Sequence, residues 1–249
     1  MLERYGAQAQ KENSSAHKHM ITLLASYTLG DKSHFIFPAA KCNLDEYFGE
    51  RDGPLAPLYR PINQGTREWL VWISEQTQGL VGAVDYMHSA KRVYLDPKDK
   101  YARHGDLKLE NILWFLSPFN KRGRLVIGDL GIADIHGEHS RSQVPNENLP
   151  TTATYRAPEC DILDAKISRA YDIWTLGCVF LEMICWMLGG DALRQEFSNE
   201  RLSKAHSDVQ TFNYFDVRNV SGDLYRFKVK HAVIKVSATP VFSVAPFCM

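Results

Sequence analysis

At residues 101–115 the chain reads YARHGDLKLENILWF. His104, Asp106, Lys108 and Asn111 place an imidazole, a carboxylate, an ammonium group and an amide oxygen directly before an apolar run. These residue types can accept a proton, offset negative charge and ligate a hard cation through oxygen. The same types also cap ordinary solvated loops, so the stretch alone does not decide between the two readings. Three further stretches follow in order: GDLG at 128–131, TTATYRAPE at 151–159 and YDIWTLGC at 171–178. Asp129 supplies a second hard oxygen donor, which with Asn111 suits Mg²⁺. Each stretch is weak by itself, since Asp-Leu-Lys or Ala-Pro-Glu arises by chance. Their order and spacing carry the information.

The elements needed to hold these residues are visible in the hydrophobic pattern. Across 66–89, Trp69, Ile73, Leu80, Val84 and Met87 recur near helical spacing and predict a long amphipathic helix. The apolar runs NILWF and RLVIGDL, separated by the turn-like SPFNKRG, predict a β-hairpin that brings Asn111 and Asp129 together. A second helix is expected over 171–188, with Trp174, Phe180, Met183 and Met187 in the core. MITLLASY, HFIF and NLDEYF read as short strands followed by a connection, after a polar, helix-compatible segment at 1–20. GPLAPLYRPINQG reads as a loop or insertion, and KRVYLDPKDKYAR as a charged loop carrying Pro97. Residues 134–151 are polar and flexible in composition. The last sixty residues lose clear periodicity, and the tail VIKVSATPVFSVAPFCM is β-prone and apolar.

Composition bounds the partners. The chain has 249 residues, room for one large domain or two smaller ones, and its 45% hydrophobic content is enough for a substantial core. Basic and acidic residues number 29 each, so net charge offers no support for a nucleic-acid or acidic-membrane partner. Five scattered cysteines without a C-x-x-C pair (Cys42, Cys160, Cys178, Cys185, Cys248) read as reduced core thiols of an intracellular protein. The polar N-terminus shows no secretory signal. The longest apolar stretch, 173–189, carries Glu182 and follows Asp172, so it reads as a buried helix and not a membrane span.

Taken together, HGDLKLEN, GDLG, TTATYRAPE and YDIWTLGC resemble the catalytic half of the eukaryotic protein-kinase family. Lys108 in the D-L-K-x-x-N arrangement resembles the serine/threonine type. RHGDLKLENILWF and VKHAVIKV look most like the expanded kinase-like proteins of filamentous fungi. The resemblance implies an α+β, protein-kinase-like fold, mostly the helical larger lobe with an incomplete β-rich smaller lobe. It implies a partial smaller lobe at 1–37, the hinge and larger lobe at 38–236 and an atypical tail at 237–249. It also implies transfer of the γ-phosphoryl group of ATP, with Mg²⁺, to Ser or Thr hydroxyls of a protein substrate. In that reading Asp106 is the proton acceptor, Lys108 a cation near the transferred group, and Asn111 and Asp129 are metal ligands. Thr152 hydrogen-bonds the catalytic pair, and Asp172 anchors the loop backbone through N–H donors, as a buried carboxylate must. Phe37, the Pro38–Ala40 backbone and Leu113 would surround the adenine. ATP and a protein are the expected partners; a nucleic acid and a membrane are not, and the expected compartment is cytoplasmic or nuclear.

The sequence also departs from the family pattern. Gly105 replaces the Arg of H-R-D, the residue that pairs with a phosphorylated activation segment, so ordering through Ser140, Ser142 or Thr151 is not expected. Leu130 stands where D-F-G has Phe. There is no G-x-G-x-x-G and no V-A-I-K strand; Lys11 and Lys18 read as solvated, and Glu3 or Glu12 as a remnant helix glutamate. No Arg motif after Glu159 matches its usual partner. A chain truncated at both ends, with weak or no turnover, is therefore the expectation. The alternative from another class is a non-catalytic kinase-like interaction module.

Overall fold

The computed structural model describes residues 17–55, 64–89, 99–129, 134–137, 153–162, 167–204, 210–221 and 224–238. The fold is α+β, built from helices and small antiparallel sheets, and divides into two compact units. Unit one comprises Met1–Tyr47, Leu70–His104 and Leu109–His139; unit two comprises Phe48–Trp69, Gly105–Lys108 and Ser140–Met249.

In unit one, β1 (Ala25–Leu29) and β2 (Lys32–Ile36) pair antiparallel across a turn at Gly30, whose φ of 63° suits glycine. The two-residue β3 (Cys42–Asn43) leads into α1 (Leu44–Gly49). This corrects the strand expected from NLDEYF. Asn43 Oδ1 accepts the Glu46 N–H at 2.9 Å, and Glu46 Oε2 accepts the Asn43 N–H at 3.0 Å. The reciprocal capping box starts a helix where composition alone suggested extension. Helix α2 (Gln64–His88) runs as expected and buries Trp72, Leu80, Ala83, Val84 and Met87. Trp69 and Ile73, on the same periodic stripe, are half-buried.

The last residues of the expected charged loop form β4 (Asp99–Arg103). Next come β5 (Ile112–Ser117), β6 (Asn120–Ile127) and β7 (Asp134–Gly137), which pairs with β4 although its segment was expected to be loop. The order of the central sheet is β3-β5-β6. Its hairpin is the predicted one, but the turn is Pro118–Phe119 and NKRG belongs to β6. Gly123 has φ 75°, and a Cβ there would meet the Phe115 carbonyl oxygen at 2.4 Å. A glycine is therefore needed where the register shifts between Phe115 and Ser117. His19 seats the chain before β1 on α2, because a Cβ on Gly79 would fall 2.2 Å from its Nε2. A parallel bridge, Met20 to Ile127, then fixes the end of β6 through Ile21 N–H to Ile127 O and Ile127 N–H to His19 O, both 2.8 Å.

Unit two is organised on α3 (Ala170–Arg201), longer than the helix expected to end at 188. At Gly190 the backbone leaves helical geometry with φ 68°, and the helix resumes through a polar stretch in which apolar periodicity is weak. A Cβ on Gly53 would lie 2.0 Å from the Trp186 carbonyl oxygen, so two glycines let the 51–55 segment lie on the kink. There Trp186 stacks on Phe48 at 4.7 Å and its indole N–H donates to Arg51 O at 2.9 Å. By length and composition α3 could cross a membrane, but most of its apolar stretch is buried in protein. Two short strand pairs follow: β8 (Ser203–Lys204) with β9 (Gln210–Thr211), and β10 (Phe215–Ser221) with β11 (Leu224–Val229). Helix α4 (His231–Ser237) then takes up the start of the tail expected to be β-prone, burying Ala232 and Val233.

Candidate functional site

The loop at 104–111 is fixed from within each unit separately. In unit one, His104 is fully buried, and its Nε2, which must carry the proton, donates to Gly128 O at 2.8 Å. In unit two, the Gly105 N–H donates to Asp172 Oδ1 at 2.9 Å, and Asp172 is fully buried. The expectation that Asp172 anchors the loop through a backbone donor is thus met. Gly105 has φ 81°, in the left-handed region that a side chain disfavours. The glycine standing where H-R-D has Arg therefore has a backbone reason as well. Leu107 and Leu109 are buried, while Asp106 and Lys108 are half-buried. Lys108 Nζ and Asp106 Oδ2 form an ion pair of 2.7 Å, both side chains retaining some exposure.

Beyond the loop, a short 3₁₀ turn, Leu109–Asn111, delivers Asn111 to the start of β5. The register pairs Ile112 with Ile127, and the Gly128 N–H donates to Asn111 O at 2.8 Å. The hairpin thus sets Asn111 against Gly128, the residue preceding Asp129. Gly128 has no room for a side chain, since a Cβ would meet Leu113 Cδ1 at 2.6 Å. Asp129 is exposed with φ 51°, the one non-glycine residue at positive φ among the described residues. Aspartate tolerates that region better than most residues.

Of the residues expected around an adenine, Leu113 lies on β5 opposite Asn43 of β3. Phe37 is 45% exposed and Ala40 half-buried in the connection between β2 and β3. That connection is tied to β5 by Lys41 N–H to Trp114 O at 3.0 Å. Thr152, Leu130, the three hydroxyl residues at 140, 142 and 151, and Glu3, Lys11 and Glu12 lie outside the described residues. Lys18 is exposed, as expected.

The third motif is held by contacts that its sequence did not reveal. Pro158 opens a 3₁₀ turn, Pro158–Asp161, and Ala157 and Cys160 pack with Ile167, Tyr171 and Trp174. Arg156 pairs with Asp161 at 2.7 Å. Burial raises the Asp161 carboxyl and Arg156 pulls it partly back; burial also pushes the Cys160 thiol up to about 11. Glu182, on the buried face of α3, accepts Tyr155 OH at 3.1 Å and Tyr214 OH at 2.6 Å, with Arg194 at 3.5 Å and Arg201 at 3.7 Å. The Arg201 guanidinium lies between the rings of Phe197 and Tyr214, at 4.1 and 4.2 Å. Burial holds Tyr214 well above the ordinary phenol range, and the Glu182 carboxylate adds to this. Glu182 inside an apolar run was the visible signal: a buried carboxylate requires donors and a cation. Among the described residues no partner engages the Glu159 side chain.

Asn111 and Asp129 offer an amide oxygen and a carboxylate, a donor set that fits Mg²⁺ completed by phosphate and water oxygens. Among the described residues no group of three or more His, Cys, Asp or Glu forms a metal cage. The fold and these anchored loops define the class: an α+β chain whose catalytic-loop motif is followed by a β-hairpin and a buried helix aspartate.

A family model described as protein kinase domain matches residues 7–219. The chain belongs to the protein kinase domain family, whose members generally use ATP and Mg²⁺. It is 29% identical over 144 residues to a serine/threonine-protein kinase SSN3 of Yarrowia lipolytica, a match covering 58% of this chain and 29% of that protein. To cyclin-dependent kinase 8 of Drosophila melanogaster it is 30% identical over 105 residues, covering 42% of this chain and 21% of that one. To cyclin-dependent kinase 11 of Dictyostelium discoideum it is 36% identical over 108 residues, covering 43% and 25%. The matched part therefore spans less than a third of these relatives' own length.

Proposed function

We propose that this chain carries the phosphoryl-transfer half of a serine/threonine protein kinase, acting on Ser or Thr hydroxyls of a protein with ATP and Mg²⁺, in the cytoplasm or nucleus. Residues 38–236 are read as hinge and larger lobe, 1–37 as part of the smaller lobe and 237–249 as an atypical tail. Asp106 would accept the proton of the attacking hydroxyl, its carboxylate oriented by Lys108. Lys108 would also offset charge on the transferred group. Asn111 and Asp129 would hold Mg²⁺, which when bound neutralises phosphate charge. Leu113, Phe37 and Ala40 would bound the adenine, and Thr152 would hydrogen-bond the Asp106–Lys108 pair. The observation that carries this reading is the hairpin register, because the Gly128–Asn111 bond supports Asn111 and Asp129 as ligands of one ion.

Without a G-x-G-x-x-G or a V-A-I-K lysine in its sequence, the 249-residue chain by itself is expected to turn over slowly. That same lack favours the second reading, a non-catalytic kinase-like interaction module. Two measurements on the purified chain decide. Mg²⁺-dependent transfer from radiolabelled ATP to casein should be weak and fall by a further ~10²-fold or more in Asp106→Asn. A Mg²⁺–ATP thermal shift should appear and be lost in Asp129→Ala. Transfer indifferent to Asp106→Asn would sink the assigned mechanism, and the lack of any nucleotide shift would favour the module.

A further inference from the structure

Unit one carries two clefts, and none of Asp106, Lys108, Asn111, Leu113 and Asp129 lines either of them. The smaller, about 240 Å³, is walled by Met20, Ile21, Pro38, Phe115 and Val126. The larger, about 450 Å³, is more polar, and Phe119 on its rim is 95% exposed at the β5–β6 turn. His17, Lys18 and Arg124 line both. The one carboxylate among the lining residues is Glu75, so the junction of the clefts is cationic.

Arg124 supplies the second observation. It is half-buried in the wall that the two clefts share. A guanidinium is the side chain best shaped for bidentate carboxylate recognition. A small free anion would use only the shared basic residues and leave the apolar wall empty. An extended peptide would use both, with an apolar side chain against Ile21, Phe115 and Val126 and a neighbouring carboxylate on Arg124 and Lys18.

We propose that this double cleft is a docking site for an acidic peptide segment of a partner protein, with an apolar residue beside its carboxylates. Its lining includes none of Asp106, Lys108, Asn111 and Asp129. It is tested with the full chain and a fluorescein-labelled peptide, Glu-Asp-Leu-Glu-Leu-Asp, by fluorescence anisotropy. The acidic peptide should bind, more weakly as salt rises, and the counterpart with every acid replaced by Lys should not. Arg124→Gln should weaken binding about tenfold and Lys18→Glu by a similar factor, the two charge contacts being of ordinary strength. Arg124 sits in a strand, so its variant is checked by thermal melting; Lys18 is exposed, and its variant decides the matter if Arg124→Gln is unstable. Binding unchanged in Lys18→Glu, or equally tight binding of the basic peptide or of a single-stranded oligothymidine, would overturn the proposal.

Discussion

Glycines at two positions do what no side chain could. Gly105 takes the left-handed conformation that lets its N–H meet Asp172, and Gly128 passes beneath Leu113. Gly105→Arg, which would restore the family's usual residue, is expected to destabilise the fold by about 1–2 kcal/mol, measured as a lowered urea midpoint. Gly128→Ala is expected to cost a similar ~1–3 kcal/mol, and to weaken the Mg²⁺–ATP thermal shift by displacing Asp129. At this scale the sequence was informative where a motif names a residue and physics demands its partner. Asp172 is such a case, since a buried carboxylate must find donors. His104 and Gly128 were legible as motif letters, but their bond was not. Nothing in linear spacing says which of many carbonyls a buried ring will reach.

Elements were legible in proportion to the length of their period. The long α2 repeats its apolar pattern often enough to be recognised, and the β5–β6 hairpin shows as two apolar runs about a turn-like stretch. The six-residue α1 does not, and its evidence was a capping box. The seat of His19 on α2 makes two predictions at this scale. Gly79→Ala should force the ring out of its place and lower stability by about 1–3 kcal/mol, read from thermal or urea unfolding. Burial also lowers the His19 pKa from 6.5 to about 4, against the opposing bond to Leu125 O. The unfolded chain therefore binds this proton at a higher pH than the folded one. Stability from this group is complete above pH 6.5 and is lost as pH falls toward 4, by at most roughly 3 kcal/mol. Urea titrations across that range should show a slope that His19→Asn reduces.

The whole molecule has two units, each with its own arrangement of buried groups. In unit two, the carboxylate of Glu182 joins Tyr155 of the third motif to Tyr214 and to two arginines. Removing it strands a guanidinium that is 1% exposed. Glu182→Ala should cost about 3–5 kcal/mol, and the double variant Glu182→Ala/Arg201→Met less than the sum of the two single changes. Chemical denaturation of the four proteins measures that difference. This centre was not legible as a unit, because Tyr155, Glu182, Arg201 and Tyr214 are far apart in the chain and come together only through packing. Residues nearest the chemistry were easier to find than those that hold them, because reaction chemistry restricts residue types more narrowly than packing does.

The β5–β6 hairpin also carries its own reporters. Two consecutive carbonyls near its bulge are each met by an indole, Arg122 O by Trp114 at 2.8 Å and Gly123 O by Trp72 at 2.8 Å. Gly123 is a neighbour of Arg124 and lines the larger cleft. An indole proton resonates apart from most others, so two lines of a one-dimensional proton spectrum watch the back of that cleft without any label. Filling it should move the Trp72 and Trp114 lines, while the Trp186 line, from the other unit, serves as the internal standard.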